Sequence, residues 1–290
     1  MSEYMIIVLT TIFINIILAV SLNMINGMTG QFSLGHAGFM AVGAYTSSII
    51  VKEFHFSIAA GLAAALVCAA VVGFLVGFPV LRLKGDYLAI VTLGFGEIIR
   101  VIIQQMSITG GARGLPGIPA IAGLRGISAY YGFFAAVILA AATCIVIRNI
   151  MLSSEGRAFL SIREDEIAAE SMGINLTKYK VLSFMIGAGF AGLAGAIYAH
   201  TFSIVTPQNF GMYKTVDILL MTVLGGMGSL TGSIIAAVVL TVVSEMLRGF
   251  AEYRMIIYSL LLIVLMLVRP NGILGKKELG DIIKFRKRGA

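Results

Sequence analysis

Long apolar runs alternate with short polar connections along the whole chain. A transmembrane helix needs about 20 mostly apolar residues, and nine apolar runs are candidate spans, although 215–225 and 255–268 are short. The nine runs are 5–25, 34–51, 57–78, 87–107, 130–147, 180–202, 215–225, 231–247 and 255–268. The pattern therefore predicts an all-α polytopic bundle of about 8–10 spans, forming one transmembrane domain over residues 1–290.

Composition supports a membrane class. Of the 290 residues, 59% are hydrophobic and 12% charged, and the mean hydropathy is +0.98, whereas soluble domains carry about 25% charged residues. The 34 glycines favour close helix packing in lipid. The apolar run 5–25 follows an acidic start and has no small-residue cleavage site after it, so we expect a retained span and no signal peptide.

The basic residues indicate an orientation. Segments 269–290, 148–180 and 79–86 together hold 14 of the 21 Lys and Arg residues. Cytoplasmic loops are enriched in Lys and Arg, so we expect these three segments and the C-terminus in the cytoplasm. Because the basic residues lie next to spans, they indicate a membrane anchor and not a nucleic-acid partner.

Segment 148–180 is a long polar stretch in an otherwise apolar chain. Ser161 and Glu164 have the spacing of a capping box, and Gly173 is a suitable C-terminal stop, so we predict a short helix over 162–172. One stripe of that helix holds Ile162, Ala168, Ala169 and Met172. The helix is either a docking element for a cytoplasmic partner, which we favour, or a solvated connector.

Two glycine-rich stretches, 27–38 and 225–232, interrupt the apolar pattern. Backbone groups freed at such breaks must be buried in protein or face a water-filled path, and broken helices often form solute sites in transporters. His36 in the first stretch could bond a solute, or could be a buried histidine bonded to a neighbouring carbonyl.

Charged residues inside predicted spans are expensive and rarely face lipid. Glu97 and Arg100 share a helix face, either as a buried ion pair or as part of a polar path, and Asp217 poses the same question near a span end. The candidate path residues are Ser33, His36, Thr92, Glu97, Arg100 and Asp217.

Several chemistries are excluded by missing motifs. The chain contains no G-x-x-x-x-G-K-[ST], H-E-x-x-H or G-x-S-x-G sequence. Cys68 and Cys144 lie in apolar runs, so we expect free thiols and no metal site. We expect no enzyme activity and no cofactor bound by this chain.

Six segments in order along the chain resemble the LivM-type permease subunit of branched-chain amino acid ABC importers. They are GQFSLGHAGFMAVGAY (30–45), LRLKGDYLAIVTLGFGEIIR (81–100), TGGARGLPGIP (109–119), EGRAFLSIREDEIAAESMGIN (155–175), AGLAGAIYAH (191–200) and TVLGGMGSLTG (222–232).

The resemblance implies a bacterial inner-membrane permease for Leu, Ile or Val that works by alternating access. Its implied partners are a sister LivH-type permease, two cytoplasmic ABC ATPases that bind ATP, an extracytoplasmic solute-binding protein and the lipid bilayer. Residues 166–173 resemble the EAA-type loop of ABC permeases, although Ile167 separates Glu166 from the two alanines. The implied ATPase-coupling residues are Arg157, Ile162, Arg163, Glu164, Asp165, Glu166, Ala169, Met172 and Gly173.

Two alternatives stay open. Permeases for urea, amides or other small polar solutes belong to the same superfamily. A secondary transporter driven by an ion gradient is the other class, and it would need a denser set of acids inside the membrane than this chain offers.

Overall fold

The computed structural model describes residues 3–80, 83, 85–121, 128–247, 260, 263, 272 and 275. Their helices are α1 (Glu3–Asn23), α2 (His36–Lys52), α3 (Ile58–Val80), α4 (Asp86–Gln105), α5 (Ser128–Leu152), α6 (Ser154–Glu164), α7 (Glu166–Ser171), α8 (Leu176–Phe202), α9 (Met212–Gly225) and α10 (Leu230–Met246). Strands β1 (Leu115–Pro116) and β2 (Ile204–Val205) form one antiparallel pair. The all-α prediction is confirmed.

Eight of the nine predicted spans coincide with helices α1–α5 and α8–α10. Four of these helices are long and apolar enough to cross a membrane by length and composition: α1 with the turn after it, α3, α5 and α8. Helices α2, α9 and α10 have 17, 14 and 17 residues. The ninth predicted span, 255–268, lies outside the described residues except at 260 and 263, and so does the basic segment 269–290 except at 272 and 275.

Helix α8 forms the centre of the bundle and packs against α1, α2 and α3. Glycines allow this packing: a Cβ at Gly195 would overlap the Met40 carbonyl, and a Cβ at Gly192 would overlap the side chain of Ala69. Small residues let helix backbones approach closely where lipid removes the hydrophobic driving force. The abundance of glycine in the sequence therefore has a direct packing role.

The segment predicted as one helix over 162–172 is two helices, and that prediction was wrong. Ser161 lies inside α6, where its hydroxyl donates to the Arg157 carbonyl over 3.0 Å, so it does not cap a helix. Asp165 instead adopts an extended backbone, and its carboxylate accepts from the N–H groups of Ile167 and Ala168. Asp165 thus ends α6 and caps α7, because an aspartate at this position satisfies two free amides.

The predicted stop at Gly173 is confirmed. Gly173 has a φ of 83°, its N–H donates to Glu170, and the N–H of Ile174 donates to Ala169. These two bonds form a Schellman motif. The chain then turns at once into α8, so α6 and α7 form a compact polar cap between α5 and α8.

Candidate coupling and transport site

The first glycine-rich stretch is an irregular but buried connection between α1 and α2. Helix α1 widens into a π-helical turn, Met24–Met28, whose residues are all buried. Asn26 then closes the loop on itself: its amide donates to the Ser33 carbonyl, and its Oδ1 accepts from the Ser33 N–H over 3.1 Å. The freed backbone is therefore buried in protein, as expected for a break at membrane depth.

The second glycine-rich stretch contacts the start of the first. Helix α9 ends at Gly225, and Ser229 caps α10 by accepting from Gly232. Asn23, the last residue of α1, bonds to this stretch twice: its amide donates to Ser229 over 2.9 Å, and its Oδ1 accepts from the Gly228 N–H over 2.8 Å. We call this contact between residues 23–30 and 225–232 the glycine junction.

Arg163, at the end of α6, reaches into the glycine junction. Its Nη1 donates to the Gly27 carbonyl over 2.5 Å. A Cβ at Gly228 would lie 2.5 Å from the same nitrogen, and one at Gly30 would lie 3.3 Å from Arg163 Cγ. The guanidinium thus lies against the backbone of both breaks, and only glycine leaves room for it there.

Helix α7 and Met172, the C-cap residue that follows it, present two apolar side chains outward and one inward. Ile167 is 76% exposed and Met172 83% exposed, whereas Ala169 is 4% exposed. The predicted stripe is therefore not a shared surface, since Ala169 packs inside the chain and Met172 points away from it. The reason is the break at Asp165, which rotates α7 relative to the single helix that the sequence predicted.

A lysine on α8 fixes α7 to the bundle. Lys180 Nζ lies 2.5 Å from Glu166 Oε1, and the two side chains are 8% and 29% exposed. A buried ammonium needs a partner to offset its lost hydration. Glu166, at the start of the EAA-like segment, therefore pairs within the chain.

The remaining candidate coupling residues surround this cap. Ile162 is buried in α6, and the neighbouring Phe159 packs edge to face on Tyr179 of α8 at 5.8 Å. Arg157 is exposed and donates to Ser154. Glu164 is 64% exposed and lies 4.0 Å from Arg163. Helix α6 is thus held on one face and open on the other.

Three of the six candidate path residues lie buried around the α1–α2 connection. His36 Nε2 bonds Ser21 of α1 at 2.8 Å, not a carbonyl, and its Nδ1 has no hydrogen-bond partner among the described residues. The hydroxyl of Thr92 on α4 accepts from the Leu34 N–H over 2.9 Å, which brings Thr92 close to Ser33. These contacts fix the start of α2 against α1 and α4.

The three charged candidates lie on the helices that flank α2. Arg100 Nε donates to Glu97 Oε2 over 2.7 Å on α4, and both side chains are partly exposed, at 28% and 37%. Asp217 is partly buried on α9. Helix α2 contacts both α4 and α9. The structure therefore separates the candidates into a buried polar group and a charged group.

Sequence reasoning missed Asn23, Gly228 as an arginine contact, and Lys180. Asn23 and Asn26 stand out as amides three positions apart at the end of an apolar run, which was the available signal. The sequence carries no signal for the role of Lys180, because a lysine at the start of a span is typical of a membrane interface.

The chain matches a family described as the permease component of branched-chain amino acid transport systems, over residues 4–268. It is 38% identical to the high-affinity branched-chain amino acid transport system permease protein LivM of Salmonella typhimurium, covering 91% of this chain and 68% of the relative. The LivH permease protein of Escherichia coli is 26% identical over 92% of each chain. A probable LivM protein of Methanocaldococcus jannaschii is 24% identical over 75% of this chain and 69% of its own length.

No solved structure matches the chain significantly. The family match covers more than half of the residues, and the apolar helices agree with a protein that crosses the membrane several times. The chain is therefore a multi-pass membrane protein that belongs to the family of permease components of branched-chain amino acid transport systems.

Proposed function

We propose that this chain is one permease subunit of an ATP-driven importer for leucine, isoleucine and valine in the bacterial inner membrane. The solute class is supported by the transport systems to which the LivM and LivH relatives belong. We propose that residues 1–290 act as one permease domain and bind no cofactor themselves.

The proposed assembly has two related permeases. LivH proteins align with 92% of this chain, so a LivH-type sister could form a pseudo-symmetric pair with it. Two cytoplasmic ATPases would hydrolyse ATP, since this chain has no P-loop sequence. A solute-binding protein would deliver the amino acid from the opposite side.

The observation that carries the proposal is the position of Arg163. It joins α6, in the polar cap that presents Ile167 and Met172 outward, to the glycine junction between α1 and α9–α10. A movement of the cap would therefore reach two interrupted helices through one side chain. Alternating access requires an element with two discrete arrangements. Events at the ATPases and solute in the path must both be able to shift the equilibrium between those arrangements.

We propose that the solute path follows α2 between α4 and α9. Arg100 on α4 lies close to the turn before α9, since a Cβ at Gly211 would be 3.8 Å from Arg100 Cδ. Glu97, Arg100 and Asp217 supply the charges that an amino-acid zwitterion would meet. Ser33, His36 and Thr92 would line the buried end of the path, with His36 Nδ1 available to the solute. Replacement of Glu97 by Gln should then change the KM for uptake.

The cap and residues 269–290 are proposed to face the cytoplasm. Residues 148–180 hold five Lys or Arg residues, and 269–290 hold seven. The positive-inside rule supports this orientation.

Reconstituted uptake tests the proposal. Co-expressed permeases and ATPases in proteoliposomes, supplied with binding protein, should take up radiolabelled leucine only with internal ATP. Uptake of urea or an amide in place of leucine would change the solute class. Leucine uptake by this chain alone, driven by an ion gradient without ATP, would make it a secondary transporter.

A further inference from the structure

A long groove runs along the outer face of the bundle, over α8 and between α3 and α5. It consists of two adjoining cavities of about 440 Å³ and about 390 Å³, which share Leu182 and Met185 of α8. The α3 wall is formed by side chains four positions apart, including Ala70 and Phe74. Such spacing places them on one helix face, so the groove is a continuous channel parallel to α3 and α8.

The chemistry of the groove changes along its length. Its body is apolar, while Asn175, Thr177 and Lys178 stand together at the end next to the polar cap. Lys178 is the one charged residue among the described residues that line the groove. It takes part in none of the ion pairs between described residues, and its Nζ lies 5.5 Å from the centre of the Tyr179 ring. An apolar channel with a cation at its mouth fits an amphiphile with an anionic head.

The dimensions fit a membrane lipid. Lys178 and Phe190 mark the two ends of the groove on α8, and twelve residues of helix rise about 18 Å. One leaflet contributes about 15 Å of hydrocarbon. The groove therefore reaches from the headgroup level of the leaflet on the cap side to near the middle of the bilayer.

We propose that this groove binds an anionic phospholipid of that leaflet, with one acyl chain along α8 and the phosphate at Lys178. Basic residues near a membrane surface attract anionic lipids. A zwitterionic phospholipid would fill the same channel without net attraction to the lysine. The site lies on a different face of α8 from the glycine junction and does not depend on the proposed transport function.

The chain contains no tryptophan, so a single introduced tryptophan reports on the groove alone. Phe74→Trp places the indole in the groove, and Phe78→Trp is a second variant should the first fold poorly. Leu75→Trp is the matched control, since Leu75 is 62% exposed on α3 and does not line the groove. Each purified full-length variant is reconstituted in vesicles with brominated phosphatidylglycerol or brominated phosphatidylcholine as a minor component.

Quenching of the tryptophan at position 74 should show that the groove binds brominated phosphatidylglycerol about fivefold more strongly than brominated phosphatidylcholine. That is the factor expected for one basic residue near the membrane surface. Lys178→Gln should abolish the preference, Lys178→Arg should keep it, and Leu75→Trp should show none. Equal quenching by both lipids at the groove position would overturn the proposal. Absence of quenching there would also overturn it, because another protein segment would then cover the groove.

Discussion

The Nη1 atom of Arg163 donates a hydrogen bond to the carbonyl oxygen of Gly27 over 2.5 Å, across 136 positions of sequence. Arg163 belongs to the polar cap, whereas Gly27 belongs to the π-helical turn that ends the first span. The same guanidinium lies against Gly228, in the connection between α9 and α10. One side chain thus links the cap to both interruptions of the transmembrane bundle.

Ile167 of α7 and Met172 at its C-cap, both exposed and apolar, should bind the ATPase. Ile167→Ser with Met172→Ser should weaken co-purification of the ATPase subunits at least about tenfold, as expected when interface anchors worth about 1.4 kcal/mol are removed. The stability of the permease itself should not change, because both side chains are exposed within the chain.

Met246→Ser is the matched control for that experiment, since Met246 is 78% exposed at the end of α10. Wild-type co-purification of the double variant would rule out α7 as the docking element. Ala169→Arg is unsuitable for the same test, because Ala169 is buried and the arginine would disrupt the chain itself.

The Glu166–Lys180 pair should stabilise the position of α7. Glu166→Gln removes the negative charge that offsets the lost hydration of the buried Lys180 ammonium. We expect the free energy of unfolding to fall by about 1–2 kcal/mol. This is less than the about 3–5 kcal/mol for breaking a fully buried pair, because Glu166 is 29% exposed. The measurement is a double-mutant cycle with Lys180→Met, scored by SDS-induced unfolding. A coupling energy near zero would show that the pair contributes nothing.

Glycine at position 27 should be required for the junction. A Cβ there would overlap Asn23 Oδ1 and the Gly228 backbone nitrogen, so Gly27→Ala should destabilise the chain by about 1–3 kcal/mol. Gly94→Ala is the control, because a Cβ at Gly94 meets no atom within 4 Å, and we expect a change within about 0.5 kcal/mol. Equal unfolding midpoints for the two variants would contradict the described packing.

The helices of the bundle could be predicted from the sequence because apolar length alone identifies a span. The boundary between α6 and α7 could not be predicted as well, since Ser161 and Asp165 are both suitable N-cap residues. The hydroxyl of Ser161 donates to the Arg157 carbonyl, and Asp165 accepts from two amides instead. Helix-capping preferences allow either residue as the N-cap, and the packing of α6 and α7 on α8 cannot be read from the local sequence.

Arg163 was among the predicted coupling residues, but its partner was not. The contact with Gly27 depends on where α6 lies across the end of α1, and no spacing rule relates residues so far apart. The glycines at 27 and 228 were identified as helix breaks. Their second role, giving room to an arginine, emerges only when the two breaks are placed side by side.

Labelling should place the cap and the α2–α3 connection on opposite sides of the membrane. After replacement of Cys68 and Cys144 by serine, Phe54→Cys should react with an impermeant maleimide in intact spheroplasts, since Phe54 is 62% exposed. Met172→Cys should react only after permeabilisation. The reverse pattern would invert the proposed orientation and place the cap outside.

We propose that Arg163 transmits movement of the α6–α7 cap to the glycine junction. Arg163→Gln removes the charge-assisted bond to Gly27, which is worth about 1.5–3 kcal/mol, while the apolar docking residues stay in place. Arg148→Gln is the control, because Arg148 is an exposed cation at the end of α5.

The most direct test is the number of leucine molecules taken up per ATP hydrolysed by the reconstituted importer. For Arg163→Gln we predict that the ATPases still co-purify and hydrolyse ATP, while uptake per ATP falls at least about tenfold, as a loss of about 1.4 kcal/mol or more in coupling would give. Arg148→Gln should match the wild type. A wild-type ratio of uptake to hydrolysis in Arg163→Gln would contradict the account.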